Sequence, residues 1–322
     1  MEFNIISQKV KSKIETAENI LLVCHQQPDA DAVGSVVAIS EWLMAMGKSP
    51  TKFCKDPAPA SLEWLSNFEN LETKVGEIIK QDFDLVIVVD SGDLKYAGLE
   101  EVLQYFNRRP FIINIDHHAT NQFFGDINVV DTAAASTTEI IYRIFKNLKI
   151  KIPARVASAL LAGIIGDTYS FTNTNTDQRS LDAASGLLIS GASLPQVNDS
   201  VLRNKNIETL KLWGKVLLRL QYNPNFDMAV TVVTAEDFQE SGLDMEAAEG
   251  ISNFLNNLDS AKAVCVLAQQ GEMVKGSLRT NSDLIDVSKI AKMLGGGGHK
   301  KAAGFKVKGQ IVKDSAGHYQ IV

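Results

Sequence analysis

Apolar residues follow two rhythms along the chain. Phe3, Ile6, Val10 and Ile14 recur at helical spacing and predict an opening amphipathic helix. Unbroken apolar runs at 20–24, 51–54, 85–89 and 111–115 then read as short buried strands. Helices are expected up to Met46, stopping at Gly47, and over 62–68 and 99–106. Another should run from Ser136 or Thr137 to Leu148, with Glu139 placed for a capping box from Ser136. Pro153 suits the first turn of a helix that is apolar through 157–166 and so buried on all sides. A further helix ends near Gly191.

Residues 195–220 are polar and mostly helical in pattern, which suits a connector. From Met228 the alternation restarts, with strands at 228–233, 263–268 and 273–278 and helices at 246–258 and 286–294. Strands alternating with helices predict an α/β protein. Its expected parts are an N-terminal doubly wound parallel-sheet domain (1–194), a helical connector (195–222) and a smaller α/β domain (223–322).

Composition narrows the class. The 322 residues suit two domains, and 45% hydrophobic residues are ample for buried cores. A net charge of -6 argues against a long, salt-sensitive grip on duplex DNA, but not against a local basic pocket for a small anion. Cys24, Cys54 and Cys265 show no CxxC spacing and read as reduced core residues of a cytoplasmic protein. Met1-Glu2-Phe3-Asn4 has no signal-peptide pattern, and no stretch approaches a membrane span.

The chemistry lies in the polar residues that close apolar elements: His25, Asp29, Asp31, Asp90, Asp116, His117, His118 and Asp167. Pro28 keeps Gln27 out of a helix, so His25 to Asp31 is a loop after a strand. Asp116-His117-His118 ends another strand, at the edge where open α/β sheets bind ligands. Acids crowded together raise one another's pKa, and bound cations remove that penalty. Two divalent ions would balance four ligating carboxylates, with Asp90, alone at its strand end, as the bridge. Oxygen and nitrogen donors without thiolate favour manganese or magnesium over structural zinc. Two such ions about 3.5–4 Å apart suit displacement at phosphorus, and so phosphoester hydrolysis.

These motifs resemble the DHH phosphoesterases: His25-(x3)-Asp29-x-Asp31, Val89-Asp90-Ser91, Asp116-His117-His118 and Gly166-Asp167-Thr168. Alanines stand at 30 and 32, where many relatives carry glycine. The run Gly295-Gly296-Gly297-Gly298-His299 with Ala302-Ala303-Gly304-Phe305 resembles the DHHA1 domain of one branch, the nanoRNase/pAp-phosphatases or bifunctional oligoribonucleases. The resemblance implies that His25, Asp29 and Asp90 hold one metal, and Asp31, Asp90, His117 and Asp167 the other. His118 would then face the scissile phosphate, and Asp116 would orient a histidine. Asp90 and His118 are the expected catalytic residues.

In the second domain, four glycines are expected to turn backbone N–H groups inward as an anion nest. Gly296, Gly297, Gly298 and His299 would bind substrate there, with Arg279 as a bidentate phosphate binder. Lys300, Lys301 and His318 are expected at the surface. The implied activity is manganese-dependent cleavage of very short oligoribonucleotides from the 3' end, and dephosphorylation of 3'-phosphoadenosine 5'-phosphate (pAp) to AMP. Linear dinucleotides such as pGpG and pApA fit as substrates. Duplex DNA and membranes do not fit as partners, and a homodimer fits the same reading. Two alternatives are an inorganic pyrophosphatase on the same metal core and a non-catalytic nucleotide sensor. The glycine run and Arg279 speak against the first, and intact ligands in every motif against the second.

Overall fold

The apolar runs of the N-terminal half become parallel strands covered on both faces. They are β1 (Ile20–Val23), β2 (Thr51–Phe53), β3 (Leu71–Glu72), β4 (Leu85–Val89), β5 (Phe111–Asp116) and β6 (Ile127–Val130). Around them lie helices α1 (Glu2–Thr16), α2 (Ala30–Ala45), α3 (Val75–Ile78), α4 (Thr137–Leu148), α5 (Ala154–Thr168), α6 (Gln178–Ile189) and α7 (Leu194–Val201). This computed structural model describes residues 2–65, 71–202, 205–248, 250–315, 317 and 319–322, and the chain divides into two compact units, Met1–Asn204 and Lys205–Val322.

In the first unit the strand order is β3-β2-β1-β4-β5-β6, and every neighbouring pair is parallel. The order reverses between β1 and β4, so the crevice at that switch point opens at their C-terminal ends. Ile20, Leu22, Ile87 and Ile113 pack on the α2/α4/α5 side, and Leu21, Val23, Val86 and Val88 on the other. Both faces being dry explains why these strands carry no polar alternation.

Helix α2 is the centre of the thick layer. Asp29 caps it by accepting hydrogen bonds from the N–H groups of Asp31 and Ala32, and Gly47 leaves it at φ +76. Fourteen of its residues, Ala30 to Leu43, are buried. Its approach to α5 is backbone to backbone: a Cβ on Gly34 would lie 2.4 Å from the Ala159 carbonyl oxygen. A Cβ on Gly163 would lie 2.4 Å from Thr138 Oγ1 and 2.5 Å from Asp31 Oδ1.

The second unit holds α8 (Ile207–Leu218), β7 (Gln221–Asn223), β8 (Met228–Val233), α9 (Ala235–Ser241), α10 (Ile251–Leu255), β9 (Ala263–Gln270), β10 (Met273–Arg279), α11 (Val287–Met293), β11 (Gly297–Gly298) and β12 (Ala302–Lys308). Two further strands, β13 (Ile311–Lys313) and β14 (Tyr319–Ile321), pair with each other. The main sheet runs β11-β12-β10-β9-β8-β7, antiparallel except between β8 and β9. Val264, Val266 and Ala268 face α8 and α10, while Cys265 and Leu278 face α11.

Several expectations need correction. The helix expected over 99–106 is a 3-10 turn, Val102–Tyr105. The one expected over 246–258 is a 3-10 turn, Met245–Ala248, followed by α10. Gly250, at φ +92 and with the Trp213 ring 3.1 Å from where a Cβ would stand, breaks it. The one expected over 62–68 is a 3-10 turn, Ala60–Leu62, and its later part falls in 66–70, outside the described residues. His318 also lies outside them. The polar stretch expected as a connector is divided: α7 puts Val197 into the first unit's core, and α8 puts Leu212 and Val216 into the second's.

Gly34→Ala forces α2 off α5 at a contact that backbone atoms make. It should lower stability by about 1–3 kcal/mol, read as an earlier denaturant midpoint, whereas Gly47→Ala, with nothing near its Cβ, carries only the strain of its positive φ.

Candidate metal centre

Strand register decides what the switch-point crevice contains. Val23 pairs with Val88, and Val89 with Ile115, so His25, Asp90 and Asp116 come level along one sheet edge. Asp90 ends its strand at φ 57, a left-handed conformation that Asp tolerates better than most residues, while its N–H still donates to the Ile115 carbonyl (2.9 Å). Chain direction changes there, and the carboxylate turns into the crevice.

His25 holds its Nδ1 2.8 Å from the Gln26 carbonyl, which can only accept, so in the neutral ring Nε2 carries the lone pair. Nε2 lies 3.4 Å from Asp90 Oδ2 and 3.8 Å from Asp29 Oδ1. The Tyr96 ring stacks flat on the imidazole, with centroids 5.1 Å apart. His117 repeats the arrangement. Its Nδ1 faces the Ala134 carbonyl at 3.4 Å, and its Nε2 is 3.1 Å from Asp167 Oδ2, 3.7 Å from Asp90 Oδ1 and 4.0 Å from Asp31 Oδ2. Asp90 therefore belongs to two groups that could hold an ion, His25/Asp29/Asp90 and Asp31/Asp90/His117, and to a third with Asp116 and His118.

Asp116 does something different. Its Oδ1 accepts from His118 Nδ1 (2.7 Å) and its Oδ2 from Asn121 Nδ2 (2.6 Å), so both oxygens are engaged in orienting neighbours. Asn121 is itself tied to the Ser91 carbonyl and to Asn114. Asp167, near the end of α5, has its carbonyl held by Asn173 and Asn175, next to three left-handed residues, Tyr169, Ser170 and Phe171.

Electrostatics suit a cation. Burial, then the charges of Asp90 and Asp167, push the Asp31 carboxyl well up, and burial pushes Asp167 up despite its hydrogen bond with His117. Burial alone would pull the imidazolium forms of His25 and His117 down, yet the acids beside them raise both well above the usual range. The pocket therefore favours positive charge. Donor atoms that share one ion at about 2.1 Å stand roughly 3–4 Å apart, which is the spacing found.

The pattern of apolar runs gave no warning of Thr137 and Thr138. Their N–H groups donate to Asp31 Oδ2 and Oδ1 (2.6 and 2.9 Å), and the Thr137 hydroxyl donates to Asp90 Oδ1 (2.9 Å). Ser136 caps α4 as expected, through Glu139 N–H, but Glu139 reaches back to the Ala135 N–H instead of closing the box on Ser136. The signal available in sequence was Ser136-Thr137-Thr138 at a helix start after the His-His pair.

In the second unit, Arg279 ends β10. Its Nε donates to Asn253 Oδ1 (2.7 Å) and Nη1 to the Leu278 carbonyl (2.9 Å), and burial brings the guanidinium down to about 10. The four-glycine run does not form an inward nest. Gly295 and Gly296 N–H groups close α11 on Lys292 and Ala291, and β11 pairs with β12 through Gly297 and Gly298. His299 joins the two strands, exchanging backbone hydrogen bonds with Ala302. Alternation along that ladder leaves the Gly298 N–H turned away from β12. The glycines are needed for closeness: a Cβ on Gly296 would sit 2.1 Å from the Gly304 carbonyl oxygen. Lys301 is partly exposed and bonded at the surface to Asp283 and the Asn281 carbonyl, and Lys300 is exposed.

The model of the DHH family, N-terminal domain, matches residues 19–164, and that of the DHHA1 domain residues 225–317. The bifunctional oligoribonuclease and PAP phosphatase NrnA of Thermus thermophilus is 30% identical over 290 residues, 90% of this chain and 84% of that protein. Its namesake from Bacillus subtilis is 25% identical over 91% of each chain. The crystal structure of an exopolyphosphatase-related protein from Bacteroides fragilis superposes with a TM-score of 0.86 at 22% identity, over 94% of this chain and 90% of that one, a likeness of fold alone. The chain belongs to the DHH family and joins a DHH N-terminal domain to a DHHA1 domain.

Proposed function

We propose that this chain is a metal-dependent phosphoesterase that hydrolyses very short oligoribonucleotides from the 3' end and removes the 3'-phosphate of pAp. The observation that carries the reading is the sharing of Asp90 between two separate imidazole–carboxylate groups at the switch point. Likeness to the oligoribonuclease and PAP phosphatase relatives over nine-tenths of the chain supports the substrate class.

His25, Asp29 and Asp90 would hold one divalent ion, and Asp31, Asp90, His117 and Asp167 the second, with manganese favoured by the imidazoles. When bound, such ions polarise a phosphoryl oxygen and lower the pKa of water. His118, aligned by Asp116, presents Nε2 at the ring's far pole and donates a proton to a phosphoryl or leaving-group oxygen. Asn121 keeps Asp116 from rotating. Arg279 offers a phosphate the fork that Asn253 and the Leu278 carbonyl orient, and the Gly298 N–H, turned away from β12, is offered to the same ligand. Linear pGpG and pApA carry the same 5'-phosphate and 3'-5' linkage and belong to the substrate class. No described helix is long and apolar enough to cross a membrane. Cytoplasmic placement suits three free thiols.

Chromatography after incubation with manganese should show mononucleotides from RNA dinucleotides, pGpG and pApA, and AMP from pAp, all lost on chelation. Faster phosphate release from pyrophosphate than from pAp would replace this reading with a pyrophosphatase. Asp90→Ala should cut turnover by more than about 100-fold, beyond the effect of removing an outer partner of a metal ligand; substantial residual activity would remove Asp90 from the shared position. Arg279→Ala should raise KM for pAp more than it lowers kcat, and the reverse pattern would place the arginine at the transition state.

A further inference from the structure

Asp31 and Asp90 reach the centre from different elements, the first turn of α2 and the end of β4, yet one residue touches both. Thr137, the first residue of α4, donates its N–H to Asp31 Oδ2 and its hydroxyl to Asp90 Oδ1. Thr138 adds two donors to Asp31 Oδ1, its N–H at 2.9 Å and its hydroxyl at 2.6 Å. Both threonines are 0% exposed and both carboxylates 1%, so no water competes for these bonds.

Capping does not account for them. Ser136 already caps α4 through the Glu139 N–H. The Thr137 hydroxyl points across to Asp90, and the Thr138 hydroxyl, which also lies 2.8 Å from the Oγ of the cap residue Ser136, donates its proton across to Asp31. Gly163 leaves the space in which Thr138 Oγ1 and Asp31 Oδ1 meet, since a Cβ there would overlap both.

A carboxylate has about four lone-pair directions. Three on Asp31 are taken by α4, and the one left is on Oδ2, the oxygen facing His117 Nε2. On Asp90, Thr137 fixes Oδ1 toward the His117 side and thereby aims Oδ2 at His25. We propose that Thr137 and Thr138 are positioning residues of the metal centre: Thr137 sets the separation of Asp31 from the shared Asp90, and Thr138 restricts Asp31 to a single ligating oxygen. The positive end of the α4 dipole adds to the same field. This rests on the two-ion reading above and adds an asymmetry to it. Asp90 serves both ions and Asp31 only one, so the two hydroxyls have different reach.

Valine keeps the shape of threonine and deletes the hydroxyl, while serine keeps the hydroxyl and deletes the methyl. Calorimetric titration of the full chain with manganese chloride reads ion binding apart from turnover. Thr137→Val should weaken both ions by about 10–100-fold, as loss of a ligand's outer partner does. Thr138→Val should weaken one of the two, and Thr137→Ser and Thr138→Ser should titrate like the wild type. Thr137→Ala and Thr138→Ala replace any valine variant whose circular dichroism shows it unfolded, with the same expectations. Valine variants that bind as the wild type does overturn the inference, as do serine variants that lose as much as valine. A wild-type chain that takes up no manganese overturns the two-ion reading and the inference together, whereas wild-type binding with unaltered variants overturns the inference alone.

Discussion

Asp90 is 1% exposed and has imidazole nitrogens of His25, His117 and His118 within 3.7 Å. A charge buried that deeply is costly unless it is paired and hydrogen-bonded. Every element around it answers that demand. β1 and β5 bring the imidazoles level with it, and α4 brings a hydroxyl. The rest of the centre is organised so that negative charge at this point is tolerable, and a pair of cations is the natural completion of such a pocket.

Burial and chemistry are coupled through the thick helical layer. Gly34 lets α2 and α5 meet at their backbones, Gly163 leaves room for the side chains of Thr138 and Asp31, and that closeness brings the α4 N-terminus onto Asp31. A looser layer would admit water to Asp31 and weaken each hydrogen bond that orients it. The left-handed backbone at Asp90 is unfavourable locally, and it is held by the N–H bond to Ile115 across the sheet. Packing here decides which oxygens point where, and so decides the chemistry.

Much of this was legible before any coordinates. The runs at β1, β4 and β5 are apolar because both faces are covered, and their polar endings marked the site. The helices expected over 99–106 and 246–258 were not legible in the same way. A 3-10 turn can satisfy the same spacing over one turn, and Gly250 interrupts the second helix where the Trp213 ring passes. The glycine run misled for a related reason. Glycine permits both an N–H nest and a close strand crossing, and only the neighbours Gly304 and Ala303 decide between them.

By itself the sequence determined the inventory: which acids and imidazoles end strands, in what order, and that the sheet is parallel. Those follow from local periodicity and from side chains whose burial needs a charge partner. Only the tertiary structure decided that Thr137 spans Asp31 and Asp90, that Asn121 holds Asp116, and that the glycines close a hairpin. Hydrogen bonds between residues 106 and 47 positions apart leave no local pattern, because they exist only once α2, α4 and β4 have packed.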